Sequence, residues 1–168
     1  MHETIGDLAV LQALLDRSYD GAGPHYREVT THDRRLDAAQ VVERLAGMCL
    51  LVATTVTADG RPIGGPLDGI FYQGSFHFGT SPESIRYKHL QQRPGITATH
   101  LPSEEWSVTV HGRAVTADPQ RDLGLRRALL DIYVPRYGPE WEQFLDGGPK
   151  YMRIEAERMF TFFMPPER

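Results

Sequence analysis

Along residues 5–19 the apolar positions Ile5, Leu8, Leu11, Leu15 and Tyr19 recur every three or four residues, the spacing of a helix with one buried stripe. Asp20 to Arg35 interrupts that rhythm with Gly21, Gly23 and Pro24 and reads as a surface loop or an arm reaching toward a neighbouring subunit. A second helix is expected to open at Asp37, with Gln40 completing a capping box, Gly47 ending the helix, and Val41, Val42 and Leu45 facing the core. From Met48 the period shortens. The run MCLLVATTVT is rich in β-branched residues and stops at the turn Ala58-Asp59-Gly60. Arg61–Tyr72 and Ser75–Gly79 read as a hairpin joined at Gln73-Gly74, whose glycine can take a positive φ.

A helix is predicted over Pro82–Gln92, and then a strand pair, Gly95–Leu101 and Trp106–Thr116, separated by the polar link Pro102-Ser103-Glu104. Asp118-Pro119 reads as a cap and first-turn proline, opening a helix to Tyr137 with Leu125, Leu129, Ile132 and Tyr133 on one face. A shorter helix near Glu140–Leu145 ends at Gly147-Gly148-Pro149, and Tyr151–Met164 has the composition of a closing strand. Six strands in mostly adjacent pairing predict a mainly β, α+β fold. The expected architecture is a small closed barrel of about six strands with helices at its ends. Residues 1–36 are expected to form an N-terminal helix and arm, and 37–168 the barrel, within one domain overall.

At 168 residues the chain is long enough for a single core and short for two full domains. Its formal charge of −4 leaves no basic footprint for nucleic acid or an anionic membrane surface. A small molecule or a protein is the expected partner. The one cysteine, Cys49, excludes a disulfide framework and a thiolate zinc cluster. MHETIGDLAVLQALL lacks a basic leader and a long apolar span, so a cytoplasmic protein is expected.

Candidate chemistry gathers after the hairpin. Gly79, Thr80 and Ser81 precede a helix start, Ser84 adds a hydroxyl, and Arg86 and Lys88 add two cations, a combination suited to a phosphate. The same residues also read as an ordinary helix cap and a solvated face. Residues 84, 86 and 88 cannot all share one helical face, so either the helix starts late or only two of them reach the ligand. Gly64-Gly65-Pro66 within a strand points to close approach by another group, a flat ring being one and a bulge or barrel corner another. Ser107, Thr109 and His111 share one face of their strand. His77, His100 and His111 lack the close spacing of a zinc motif, and no metal is expected. Tyr72, His77 and His111 are candidate proton donors on condition that they line a pocket. No G-x-S-x-G elbow, Walker loop or G-x-G-x-x-G fingerprint occurs.

The order of these features resembles the pyridoxamine phosphate oxidase-like, FMN-binding split-barrel superfamily over about residues 38–164. It runs from the Asp-Gly turn and the Arg61-Pro62 strand through Gly79-Thr80-Ser81, Ser84-x-Arg86-x-Lys88, Leu90 and Arg93-Pro94 to Val110-x-Gly112-Arg113-Ala114. The resemblance implies that Arg61, Pro62, Ile63, Gly64, Gly65 and Pro66, with Gly79 and Thr80, hold a flavin. It implies that Arg86 binds the phosphate with Ser84 and Lys88 beside it. The position of a family glutamine that reaches the flavin ring falls on Ser107, a departure from the pattern. The substrate motif of true pyridoxamine phosphate oxidases has no counterpart in YMRIEAERMFTFF, so vitamin B6 oxidation is not implied.

The resemblance therefore implies a flavin- or deazaflavin-dependent oxidoreductase acting on a small-molecule substrate. FMN is the first expectation, the deazaflavin coenzyme F-420 the alternative, and haem the third. It further implies a six-stranded split β-barrel, antiparallel and Greek-key-like, flanked by helices, and a homodimer with the cofactor at the subunit interface and the N-terminal segment as a dimer arm. The rival reading is a non-catalytic haem- or flavin-binding protein on the same barrel, and a further one is a dimeric scaffold without cofactor.

Overall fold

The computed structural model describes residues 3–164, so the outermost parts of the ranges 1–36 and 37–168 lie outside the described residues. Helix α1 (Ile5–Asp20) opens on a capping box between Thr4 and Asp7 and turns Leu11, Leu14 and Leu15 inward. The stretch expected as loop contains a short helix, α2 (Pro24–Val29), with its proline in the first turn, and a 3-10 turn over His32–Arg34. Helix α3 (Ala38–Arg44) carries the expected capping box of Asp37 and Gln40, and Gly47 just beyond it has φ +87°.

The strands follow as β1 (Met48–Val56), β2 (Pro62–Tyr72) and β3 (Ser75–Thr80), helix α4 (Ile85–Gln92), then β4 (Gly95–His100) and β5 (Trp106–Ala117). Helices α5 (Leu123–Tyr137) and α6 (Trp141–Gly147) precede β6 (Lys150–Phe163). Two helix starts differ from expectation. Pro82 does not open α4, because Ser81 to Ser84 close a turn of their own and the Ser84 hydroxyl accepts the Tyr87 amide as the true cap. Likewise Asp118 closes a turn through the amides of Arg121 and Asp122, and the Asp122 carboxylate caps α5 at Leu125.

All six strand pairings are antiparallel and close in the order β1-β2-β3-β6-β5-β4. Strands β1, β2 and β3 are successive neighbours and β4 returns beside β1, which is the 4-1-2-3 arrangement of a Greek key. The Gln73-Gly74 turn has φ +48° and +73°, the two positive values of a type I′ hairpin turn. Strand β6 runs beside β5 along nearly its whole length, with a register shift at His111/Gly112. A Cβ at Gly112 would collide with the Glu155 carbonyl oxygen, so only glycine lets the two strands approach there.

The barrel interior and the underside of α1 and α3 form one core, with Phe76 and Phe78 fully buried at its centre. Each such side chain contributes roughly 2–3 kcal/mol by burial. A second cluster lies where Leu125, Leu129 and Tyr133 of α5 cover Ile70 and Tyr72 of β2. The N-terminal arm packs onto its own barrel. The Ser18 hydroxyl accepts the Met159 amide at 2.9 Å, the Thr161 hydroxyl accepts the Leu36 amide at 2.9 Å, and the Tyr26 hydroxyl donates to the Thr161 carbonyl at 3.2 Å. Cys49 is buried, and desolvation pushes its thiol up to about 12, which removes it as a nucleophile at neutral pH.

Candidate functional site

Strand β2 is only half paired on its outer edge. It pairs with β1 from Pro62 to Ile70 but with β3 only from Gly69 onward. Proline lacks an N–H to donate, and an unpaired edge is where a strand tolerates it, which accounts for Pro62 and Pro66. In place of a neighbouring strand, the Arg86 guanidinium from α4 donates to the Pro66 carbonyl at 3.1 Å. A Cβ on Gly65 would stand 3.3 Å from that guanidinium, so the bare backbone is what lets Arg86 lie against the strand.

Helix α4 is anchored so that its first turn meets this edge. The Thr80 and Ser84 hydroxyls lie 2.9 Å apart, while further along α4 His89 meets Thr55 at 3.0 Å and Arg93 Nε donates to the Val56 carbonyl at 3.0 Å. The late helix start resolves the spacing problem, since Ser84 is the cap and Arg86 lies in the first turn. Arg86 is half-buried, burial lowers its pKa, and among the described residues it forms no ion pair. A partly desolvated cation with only a neutral carbonyl as its partner can still accept an anion.

The other expected residues divide. Thr80 is buried beside Ser84, and Gly79 packs against the Tyr151 ring. Ser81 is exposed, and its hydroxyl accepts the Glu83 amide at 3.2 Å rather than capping the helix. Lys88 and Ile63 are exposed at the surface. Arg61 is spent on an exposed ion pair with Asp59 at 2.8 Å. Ser107 opposes Phe162 at the start of β5, with β4 and β1 between it and the β2 edge that carries the cradle. Within one chain the fold does not bring Ser107 to the cradle.

Beside Thr80 and Ser81 opens a cavity of about 410 Å³ that the sequence reading missed. Its walls are aromatic. Tyr133 and Trp141 stack at 4.6 Å and 9°, Tyr137 stacks on Tyr133 at 6.0 Å, and Phe144 and Tyr151 complete the lining. Among the described residues Asp68 of β2 is the one charged residue lining it, and it accepts the Tyr133 hydroxyl at 2.6 Å. Burial, the Asp68 bond and the Asp68 charge hold the Tyr133 phenol well above its ordinary value, so Tyr133 is a donor and not a phenolate. Arg126 fixes the wall by bridging Glu142 at 2.8 Å and Asp146 at 2.6 Å, which ties α6 to α5. The spacing of Tyr133, Tyr137, Trp141 and Phe144 across the Gly138-Pro139 break was the available sequence signal.

None of Tyr72, His77 and His111 lines this cavity. His100 donates from Nδ1 to the Leu50 carbonyl at 2.7 Å, and His111 meets Thr97 at 2.9 Å. Among the described residues no group of three His, Cys, Asp or Glu converges as for a metal ion. No described helix is long and apolar enough to cross a membrane. A second cavity, of about 440 Å³, lies between the N-terminal arm and β6, with Tyr19, Arg35 and Phe160 among its walls.

Neither a protein-family model nor a curated protein matches the sequence. Solved structures do match the fold. A conserved hypothetical protein, Rv2991, from Mycobacterium tuberculosis aligns with a TM-score of 0.66 at 16% identity, covering 82% of this chain and 94% of its own. An FAD binding protein from Mycobacterium smegmatis aligns at 0.56 and 17%, covering 78% of this chain and 99% of its own. The chain has the pyridoxamine phosphate oxidase-like split-barrel fold. A haem storage protein, HutZ, from Vibrio cholerae shares this split barrel at TM-score 0.56 and 16% identity, over 74% of this chain and 91% of its own. At such identities the likeness concerns the fold of the split barrel alone.

His77 serves stability. It is buried, donates from Nδ1 to the Ser75 carbonyl at 3.1 Å, and packs edge-on against Tyr72 at 5.6 Å. Desolvation lowers its pKa to about 4. The unfolded chain takes up this proton near 6.5, so the contribution is complete above that pH and is lost as the pH falls toward 4. Denaturant unfolding from pH 8 to pH 4 is predicted to show a loss of about 3 kcal/mol from this group, absent in His77→Phe. An equal slope in both proteins would contradict the assignment.

Proposed function

We propose that this split barrel is a flavin-dependent oxidoreductase that holds FMN by its phosphate, the deazaflavin coenzyme F-420 being the alternative guest. The observation that carries the reading is Arg86, half-buried against the β2 edge and without a carboxylate partner among the described residues. The helix start at Ser84 and the Thr80 hydroxyl stand beside it, so backbone amides and hydroxyls supplement the cation. The run Gly64-Gly65-Pro66, paired with β1 on one side and with no strand on the other, offers a bare edge against which a flat ring fits. Support comes also from the FAD binding protein that shares the fold. The flavin would supply the hydride chemistry, and the protein's residues would bind and orient it and its substrate.

A cofactor on this edge has one wall from this chain, and a second copy would supply the other. The outward face of β1 beside the cradle is apolar, with Leu50 65% and Val52 56% exposed. Leu50 and Val52 stand opposite Asp68 and Pro66 in the β1–β2 register. Exposed β-branched and leucine side chains on a strand face support a homodimer joined there.

The second reading, haem binding without catalysis, has the split barrel of the haem storage protein as its support. A Soret band on adding haem, with no flavin binding, would establish it instead.

Two outcomes are expected. Replacing Arg86→Ala together with Lys88→Ala weakens FMN binding by about tenfold or more in a fluorescence titration, with the circular dichroism spectrum retained. Unchanged affinity would remove the phosphate assignment. Replacing Leu50→Glu together with Val52→Glu yields a monomer by sedimentation, whereas a surviving dimer would move the interface elsewhere.

A further inference from the structure

The aromatic cavity has a chemistry opposite to that of the cradle beside it. The cradle presents a cation, while the cavity presents π-faces and one carboxylate, with no lysine or arginine among the described residues of its lining. Aromatic faces carry negative quadrupole potential and attract cations, and a carboxylate among them adds to the same field. Asp68 spends one acceptor site on the Tyr133 hydroxyl, leaving capacity for a donor from a ligand. A cation therefore gains more from this lining than an anion does. The parallel stack of Tyr137, Tyr133 and Trp141 favours a flat partner.

The position relative to the cradle is equally specific. Pro66, whose carbonyl holds Arg86, and Asp68, which lines the cavity, are two residues apart on one face of β2, roughly 7 Å along a strand. Thr80 joins the two from the other side, lining the cavity and meeting the α4 cap Ser84 at 2.9 Å.

We infer that this cavity binds an organic cation with a flat aromatic body, with Asp68 opposite the charge and Trp141 and Tyr133 along the ring. The cation is the substrate of the chemistry at the cradle, a role that rests on the proposed flavin reading, whereas the binding itself does not. Asp68 and Tyr133 are then specificity-determining residues, and the 410 Å³ volume accommodates a fused two-ring ligand.

The test is calorimetric titration of the flavin-free protein at pH 8 with 1-methylquinolinium and with uncharged quinoline. The cation is expected to bind about tenfold more tightly than its neutral counterpart. Asp68→Asn, which keeps an acceptor for the Tyr133 hydroxyl, is expected to abolish that preference, and Trp141→Leu to weaken both ligands. Equal binding of the two probes, absence of binding, or a preference that persists in Asp68→Asn would each overturn the assignment. In the FMN-loaded protein, the cation is expected to shift the flavin absorption bands, and an unshifted spectrum would overturn the substrate role. Cation binding without any FMN binding would leave the cavity assignment standing and remove the flavin reading, while FMN binding without cation binding would do the reverse.

Discussion

Closing six antiparallel strands in the order β1-β2-β3-β6-β5-β4 separates β3 from β4 and obliges the chain to cross β2 and β1 between them. Helix α4 is that crossing. It leaves β3 at Thr80, lays Arg86 on the unpaired edge of β2, and ends with Arg93 bound to the last carbonyl of β1. The candidate site is thus a product of topology, because the segment that completes the Greek key also carries a cation, a cap and two hydroxyls to a bare strand edge. Moving α4 by one turn would leave both the edge and the cation unsatisfied.

The same edge explains why cradle and cavity are neighbours. Strand β2 is unpaired from Pro62 to Asp68 on the side away from β1, so α4 covers one part and α5 reaches the next through the Tyr133 bond to Asp68. Polar groups along this edge find partners from helices instead of a strand. Each such partner also brings a chemical group to the surface, Arg86 in one place and the aromatic wall in the other.

Much of the fold was legible in the sequence. The β-branched runs, the Asp37 and Gln40 capping box and the Gln73-Gly74 turn placed all six strands to within a residue or two, because local propensity and tertiary packing agree there. The helix starts at α4 and α5 were read three to four residues early. Each has two potential caps in tandem, Ser81 then Ser84 and Asp118 then Asp122, and in both the nearer turn satisfies itself and leaves the second cap to the helix. The pattern over Asp20–Arg35 predicts loop because the short helices within it bury no residue and leave no apolar period. The fold brings Arg86, Ser84, Thr80 and Gly65 together and leaves Arg61 and Ser107 apart from them, since an exposed ion pair and a strand register are tertiary facts. The aromatic cavity escaped notice for the same reason. Its walls come from α5, α6, β2 and β6, and only the fold joins them.

The central claim is that the Arg86 cradle recognises a phosphate carried by a flavin. Parallel titrations of the purified protein with FMN and with riboflavin, which differ only in that phosphate, test it most directly by flavin fluorescence. The account predicts binding of FMN on the order of a hundredfold tighter than riboflavin, as expected for charge-assisted bonds to the phosphate oxygens. Equal affinity for the two, or binding of neither, would contradict it.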